Sequence, residues 1–278
     1  MRLAISNIAW DIAEDEAVAS LLKKYQVDAI DIAPAKYFPV PALASDGDIQ
    51  RVKDWWATRG IAITGMQALL FGTTGLNVFG NDLVQHELLQ HLGAICRIAG
   101  GLGAKRIVFG SPKNRDRSGL SDAETLTIAT NFFRRLGDIA LSHDVMICLE
   151  PNPTHYGANF MTTSAETAAM VRQIDHPAIF MQLDTGAITM NNEQAEIVLQ
   201  DSANLIGHVH ASEPDLLPLG DGATNHAAAF FALSQYLPNH LVSIEMVATK
   251  NEAPIKSIER ALKVAILHYR NNPIRGAA

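Results

Sequence analysis

Four residues with metal-binding side chains stand at the ends of apolar runs: Glu150 closes VMICLE, Asp184 closes IFMQLD, His210 closes LIGHVH and Glu245 closes HLVSIE. Three carboxylates and one imidazole make a hard, mostly oxygen donor set. Such a set suits Mn²⁺ first, with Mg²⁺ or Co²⁺ as alternatives and Zn²⁺ less favoured than in a site rich in cysteine or histidine. Without a cation, three carboxylates gathered in one place would repel one another strongly. Taken singly, a carboxylate at a strand end is as readily the N-cap of the next helix. Three carboxylates and a histidine, 26 to 35 positions apart, favour a shared purpose.

Sharing requires that the runs be neighbours. A short continuous apolar run is the pattern of a parallel strand covered by helices on both faces. In a closed parallel barrel the C-terminal strand ends meet on one face, where the four side chains would converge. The rest of the chain supplies the remaining units. Strands are expected at 2–6, 27–32, 61–67 and 106–109, then at the four ligand-bearing runs. Helices are expected near 14–25, 48–59, 83–99, 123–142, 164–174 with Ser164 as N-cap, 192–200, 226–236 and 254–269. Eight strand-like runs alternating with eight helical ones predict an α/β fold, a (β/α)8 TIM barrel forming one domain over 1–278. The GGLGAK segment at 100–105 follows a helix and precedes a strand, the reverse of a phosphate loop. It is read as a helix stop at Gly100 and Gly101.

The 278 residues are 48% hydrophobic and 18% charged, enough for a sizeable core and without the long apolar stretch of a membrane span. A net charge of −7 argues against a nucleic-acid partner. The start, MRLAISNIAW, reads as a first strand rather than a signal peptide, so the expected location is the cytoplasm. Two cysteines, Cys96 and Cys148, form no disulfide framework and are expected as small buried hydrophobes.

The series LEPNP, LDTG, HVHASE and SIEM resembles the xylose isomerase-like TIM-barrel superfamily of sugar isomerases and epimerases over nearly the whole chain. HVHASEPDLLPLGDG is most similar to the ketose 3-epimerase branch. The resemblance implies one divalent metal held by Glu150, Asp184, His210 and Glu245, and a small carbohydrate substrate. It also implies a mechanism in which the metal stabilises an enediolate while two glutamates, here Glu150 and Glu245, move a proton on either side of the carbon next to the carbonyl. Two departures stand out. Ala187 occupies a position where relatives often carry His, and Leu216 and Leu217 lie where the epimerases place an Arg. Both replacements remove polar contacts and point to a different substrate.

Further contacts are expected from strand alternation and strand ends. His208 shares a face with His210, and Gln182 with Asp184. Asn7, Asp31, Gln67 and Glu213 stand at strand ends. Lys113, Arg115 and Arg117 occupy the loop after the fourth strand, where a phosphate or carboxylate would suit them, although Asp116 and Asp122 dilute the charge and an ordinary solvated loop is the favoured alternative. The alternative for His208 is a hydrogen-bonded core histidine, and for Trp10 and Phe71 core packing rather than stacking on a sugar. Trp55 and Trp56, adjacent on one helix, cannot face one neighbour together, a hint of an exposed aromatic contact that would suit a homo-oligomer. Competing activities are dehydration of a keto-polyol on the same scaffold, an endonuclease, disfavoured by acidity and by Ala187, and a metal-binding barrel without turnover.

Overall fold

The computed structural model describes residues 1–270, so the last part of the expected domain, 271–278, lies outside the described residues. Eight strands are present: β1 (Leu3–Ser6), β2 (Ala29–Ile32), β3 (Ala62–Met66), β4 (Arg106–Phe109), β5 (Met146–Leu149), β6 (Ile179–Asp184), β7 (Ile206–Ser212) and β8 (Val242–Glu245). They pair in parallel in chain order, and β8 pairs back onto β1 with Leu3 beside Val242, closing the barrel. Every residue of β1, β2, β7 and β8 is buried. This is why those runs read as continuous apolar stretches: helices seal their outer face and the barrel interior takes the other.

The outer layer is built from amphipathic helices that the sequence marks with caps. Ser45 and Ser121 open the helices Asp46–Ala57 and Asp122–Ser142 with reciprocal capping boxes to Asp48 and Glu124. Between helices and strands the core is aromatic in places: Phe109 of β4 meets Phe133 edge-on at 5.4 Å, and Phe133 meets Phe132 in the same way. Trp10 is buried, donating to Asp15 at 2.7 Å and packing edge-on against Trp56, so it belongs to the core. Trp56 is fully buried, whereas its neighbour Trp55 carries the Arg59 guanidinium 3.8 Å from its ring centroid. Both cysteines are free and buried, and no helix among the described residues is long and apolar enough to cross a membrane.

Four local expectations are corrected. The helix Asp82–Leu102 runs through Gly100 and Gly101 and stops at Gly103, whose φ of +85° is the left-handed conformation that glycine adopts without penalty. Gly100 is needed instead for close approach, since a Cβ there would lie 2.6 Å from the His143 carbonyl oxygen. Thr163, not Ser164, caps the helix Ser164–Ile174, its hydroxyl accepting from Glu166 N–H. The helix expected at 192–200 spans Ala195–Ser202, and an unanticipated helix, Thr185–Met190, precedes it because the Asp184 side chain caps a helix directly at the strand end. The last regular helix ends at Ala265, after which Ile266–Arg270 widens into a π turn.

Candidate metal centre

The strand pairing sets the site. Asp184 of β6 lies beside His210 of β7, and Ser212 of β7 lies beside Glu245 of β8, while Glu150 follows β5 by one residue. One potential ligand atom from each of Glu150, Asp184, His210 and Glu245 lies within 4.8 Å of the others. His210 Nδ1 faces all three carboxylates, 3.4 Å from Glu150, 4.0 Å from Asp184 and 3.2 Å from Glu245. The four expected ligands are thus brought together, with Glu150 and Glu245 flanking the other two.

Each carboxylate is held by a neighbour. Gln67 Nε2 donates to Glu245 Oε1 at 2.6 Å, and Ser212 Oγ donates to Asp184 Oδ2 at 2.7 Å. Asp184 Oδ1 accepts from Ala187 N–H at 2.5 Å, and Asn152 Nδ2 donates to Glu150 Oε2 at 3.3 Å. Gly110 leaves room for Glu150, since a Cβ at that position would overlap its carboxylate. Arg115 is fully buried and donates from Nη1 to the Glu150 carbonyl at 2.7 Å, fixing the backbone that carries this candidate ligand.

The electrostatics match a cation site. Burial, followed by the charges of Glu245 and Glu150, pushes the Asp184 carboxyl up to about 8. Burial alone would lower the His210 imidazole, but the Glu245 and Glu150 carboxylates outweigh it and hold the pKa well above the ordinary histidine value. Burial likewise opposes ionisation of Glu245, yet His210 and the Gln67 amide keep its pKa below the usual carboxylate value. Glu150 Oε1 and His210 Nε2 are buried without a hydrogen-bond partner. The donor chemistry, the mutual repulsion and the open Glu150 oxygen all fit a divalent cation among these four side chains.

Glu150, Asp184 and Glu245 form part of the lining of a cavity of about 800 Å³, with His210 buried behind them. Of the further expected contacts, Gln67, Lys113 and Glu213 line this cavity, whereas Asn7, His208 and Arg115 do not. Glu213 holds its own loop. It accepts from Gly220 N–H at 2.8 Å, Thr224 N–H at 2.9 Å and His226 Nε2 at 3.0 Å. Although burial opposes it, those donors take its pKa down to about 2. His208 pairs inside the barrel with Asp31, Nε2 to Oδ2 at 2.7 Å, and Asn7 Oδ1 accepts from Ala33 N–H at 2.7 Å. Arg117 pairs with Asp122, away from the cavity lining. Phe71, expected in the core, is 78% exposed at the cavity wall.

Asn152 and Ser212 were the site residues not anticipated. Each stands two positions beyond a ligand, and strand alternation, which marked His208, carries over in the same way to Ser212.

The chain belongs to the xylose isomerase-like TIM barrel family, whose model matches residues 19–266. It is 33% identical over 103 residues to an L-ribulose 3-epimerase of Methylomonas sp., a match covering 37% of this chain and 35% of that protein's length. Among solved structures it resembles D-psicose 3-epimerase from Clostridium cellulolyticum with a TM-score of 0.80 at 18% identity, covering 97% of this chain and 99% of that one. A 3-keto-D-glucoside 4-epimerase from E. coli superposes with a TM-score of 0.78 at 18% identity, covering 95% and 98% of the two chains.

Proposed function

We propose that this chain is an isomerase-class enzyme that epimerises or isomerises a keto-sugar with the help of a divalent cation, Mn²⁺ first. The observation that carries the reading is the convergence of Glu150, Asp184, His210 and Glu245 at the wall of a cavity of sugar-binding size or larger. The names of the relatives support it, and the ketose 3-epimerase branch is the nearest in kind.

A cation held by these four side chains supplies Lewis-acid polarisation of a substrate carbonyl and a neighbouring hydroxyl. Glu150 and Glu245 then do the proton work. They approach the cavity from β5 and β8, with β6 and β7 between them, which supports a placement of one carboxylate on either side of a bound sugar carbon. One removes the proton next to the carbonyl and the other returns a proton to the opposite face, inverting the carbon. Gln67 and Asn152 hold these carboxylates in position through their amide donors. Asp184 and His210 carry no proton-transfer role.

The lining favours a neutral sugar over a phosphorylated one. It contains four carboxylates, Glu150, Asp184, Glu213 and Glu245, against one cation, Lys113. Even with two positive charges added by a metal, the lining does not become positive. Dehydration of a keto-polyol through the same enediolate is the second reading, and product analysis separates it from epimerisation.

The test is solvent exchange. Keto-sugars incubated with the Mn²⁺-loaded protein in D₂O are expected to take up deuterium at the carbon next to the carbonyl. Glu150→Gln and Glu245→Gln should each lower that rate by at least about 100-fold, the lower end for a lost acid or base. Absence of exchange in every sugar while Mn²⁺ still binds would contradict the reading.

A further inference from the structure

The cavity over the carboxylate cluster is larger and more apolar than a free sugar requires. Its volume of about 800 Å³ falls in the upper part of the roughly 300–1,000 Å³ typical of pockets for drug-sized ligands, which a monosaccharide leaves largely unfilled. Hydroxyl groups are recognised by free donors and acceptors, and several polar groups of this lining are already engaged within the protein. Thr73 Oγ1 donates to the Leu70 carbonyl at 2.7 Å, Asn114 Nδ2 to the Leu76 carbonyl at 2.8 Å, and Ser111 Oγ to Asn114 Oδ1 at 2.6 Å. Both Glu213 oxygens hold backbone amides.

Two apolar side chains are presented to this space in unusual ways. Phe71 stands on the wall at 78% exposure, on the loop that follows β3. Leu216 lies on the turn after β7 with φ of +54°, directly after Asp215 at +57°. A leucine in the left-handed region is a conformational outlier, and such outliers persist only where surrounding contacts over-determine them, commonly at ligand clamps. Asp215 Oδ1 accepts from His155 Nε2 at 3.0 Å, Asp215 N–H donates to Tyr156 Oη at 2.9 Å, and Val247 N–H donates to the Leu216 carbonyl at 3.0 Å. The loops after β5 and β8 therefore fasten the turn that places Leu216 in the cavity lining.

We infer that the substrate is a keto-sugar carrying an apolar aryl or alkyl group at the end away from its carbonyl, which lies against Phe71 and Leu216 while the sugar meets the carboxylate cluster. This rests on the keto-sugar reading above and deepens it. Burying Phe71 and Leu216 against an apolar group removes exposed hydrocarbon from water, a gain that a hydroxylated sugar end cannot provide.

The experiment measures binding separately from turnover. Calorimetry with the Mn²⁺-loaded full chain compares fructose with fructose bearing a benzyl ether on its terminal hydroxyl. The ether is expected to bind about tenfold or more tightly, the scale of burying one aromatic group. Phe71→Ala, at an exposed position, and Leu216→Asn, a residue that tolerates the left-handed turn, should each reduce that affinity ratio severalfold. Equal affinities, tighter binding of fructose, no binding of either probe, or variants that leave the ratio intact would overturn the inference. A preference that persists without any deuterium exchange would uphold the apolar site and refute the epimerase reading instead.

Discussion

Asp184 and His210 show what the barrel demands of single residues. An aspartate with its pKa pushed up to about 8 by burial and by two neighbouring carboxylates holds a proton at pH 7 when no cation is present. Because this folded-state pKa lies above the ordinary aspartate value of 3.8, the stability Asp184 contributes is present below about pH 4 and lost as pH rises through about 8. A cation must displace that proton. Metal binding at pH 7 is therefore expected to release protons and to tighten as pH rises toward 8, read by calorimetric titration in two buffers of different ionisation heat. Heats that do not depend on the buffer would contradict the assignment. Arg115 makes a related point about reading charges: in sequence it belongs to a polar loop, but its guanidinium is buried on the Glu150 carbonyl. No local pattern announces that, because the partner is a backbone atom 35 residues away.

Elements explain which loops can be trusted to hold shape. The segment after β7 is organised by Glu213, whose carboxylate gathers Gly220, Thr224 and His226. Glu213→Ala leaves those donors, the buried His226 among them, without an acceptor and is expected to destabilise the protein by about 2–4 kcal/mol, measured by urea unfolding. A change below about 0.5 kcal/mol would show that the loop does not depend on this anchor. Strands and long capped helices were readable because their signals are local: a continuous apolar run, or Ser followed three residues later by an acid, as at Ser45 and Ser121. The helix Thr185–Met190 was not readable. It is six residues long and starts because Asp184, positioned by its pairing with His210, caps it. Gly100 misled for a similar reason, since the carbonyl it accommodates belongs to His143, just past the end of the helix Asp122–Ser142.

At the scale of the whole molecule, closure of the barrel turns four separated strand ends into one site. The spacing of Glu150, Asp184, His210 and Glu245 was visible in the sequence, and so was the alternation that puts them on one end of a parallel barrel. What stayed hidden was the shape of the space above them, which depends on the long loop after β3 and the strained turn at Leu216, where no periodicity applies. Those two segments separate this chain's cavity from the bare chemistry of its ligands, and they are where substrate choice resides in this account. The ligands themselves are open to one direct observation. Crystals of the full chain grown with Mn²⁺ and measured near the manganese absorption edge are predicted to show a single strong anomalous peak bonded to Glu150, Asp184, His210 and Glu245. An absent peak, or one that leaves any of these four side chains unbound, would contradict the shared-cation site on which the proposed chemistry stands.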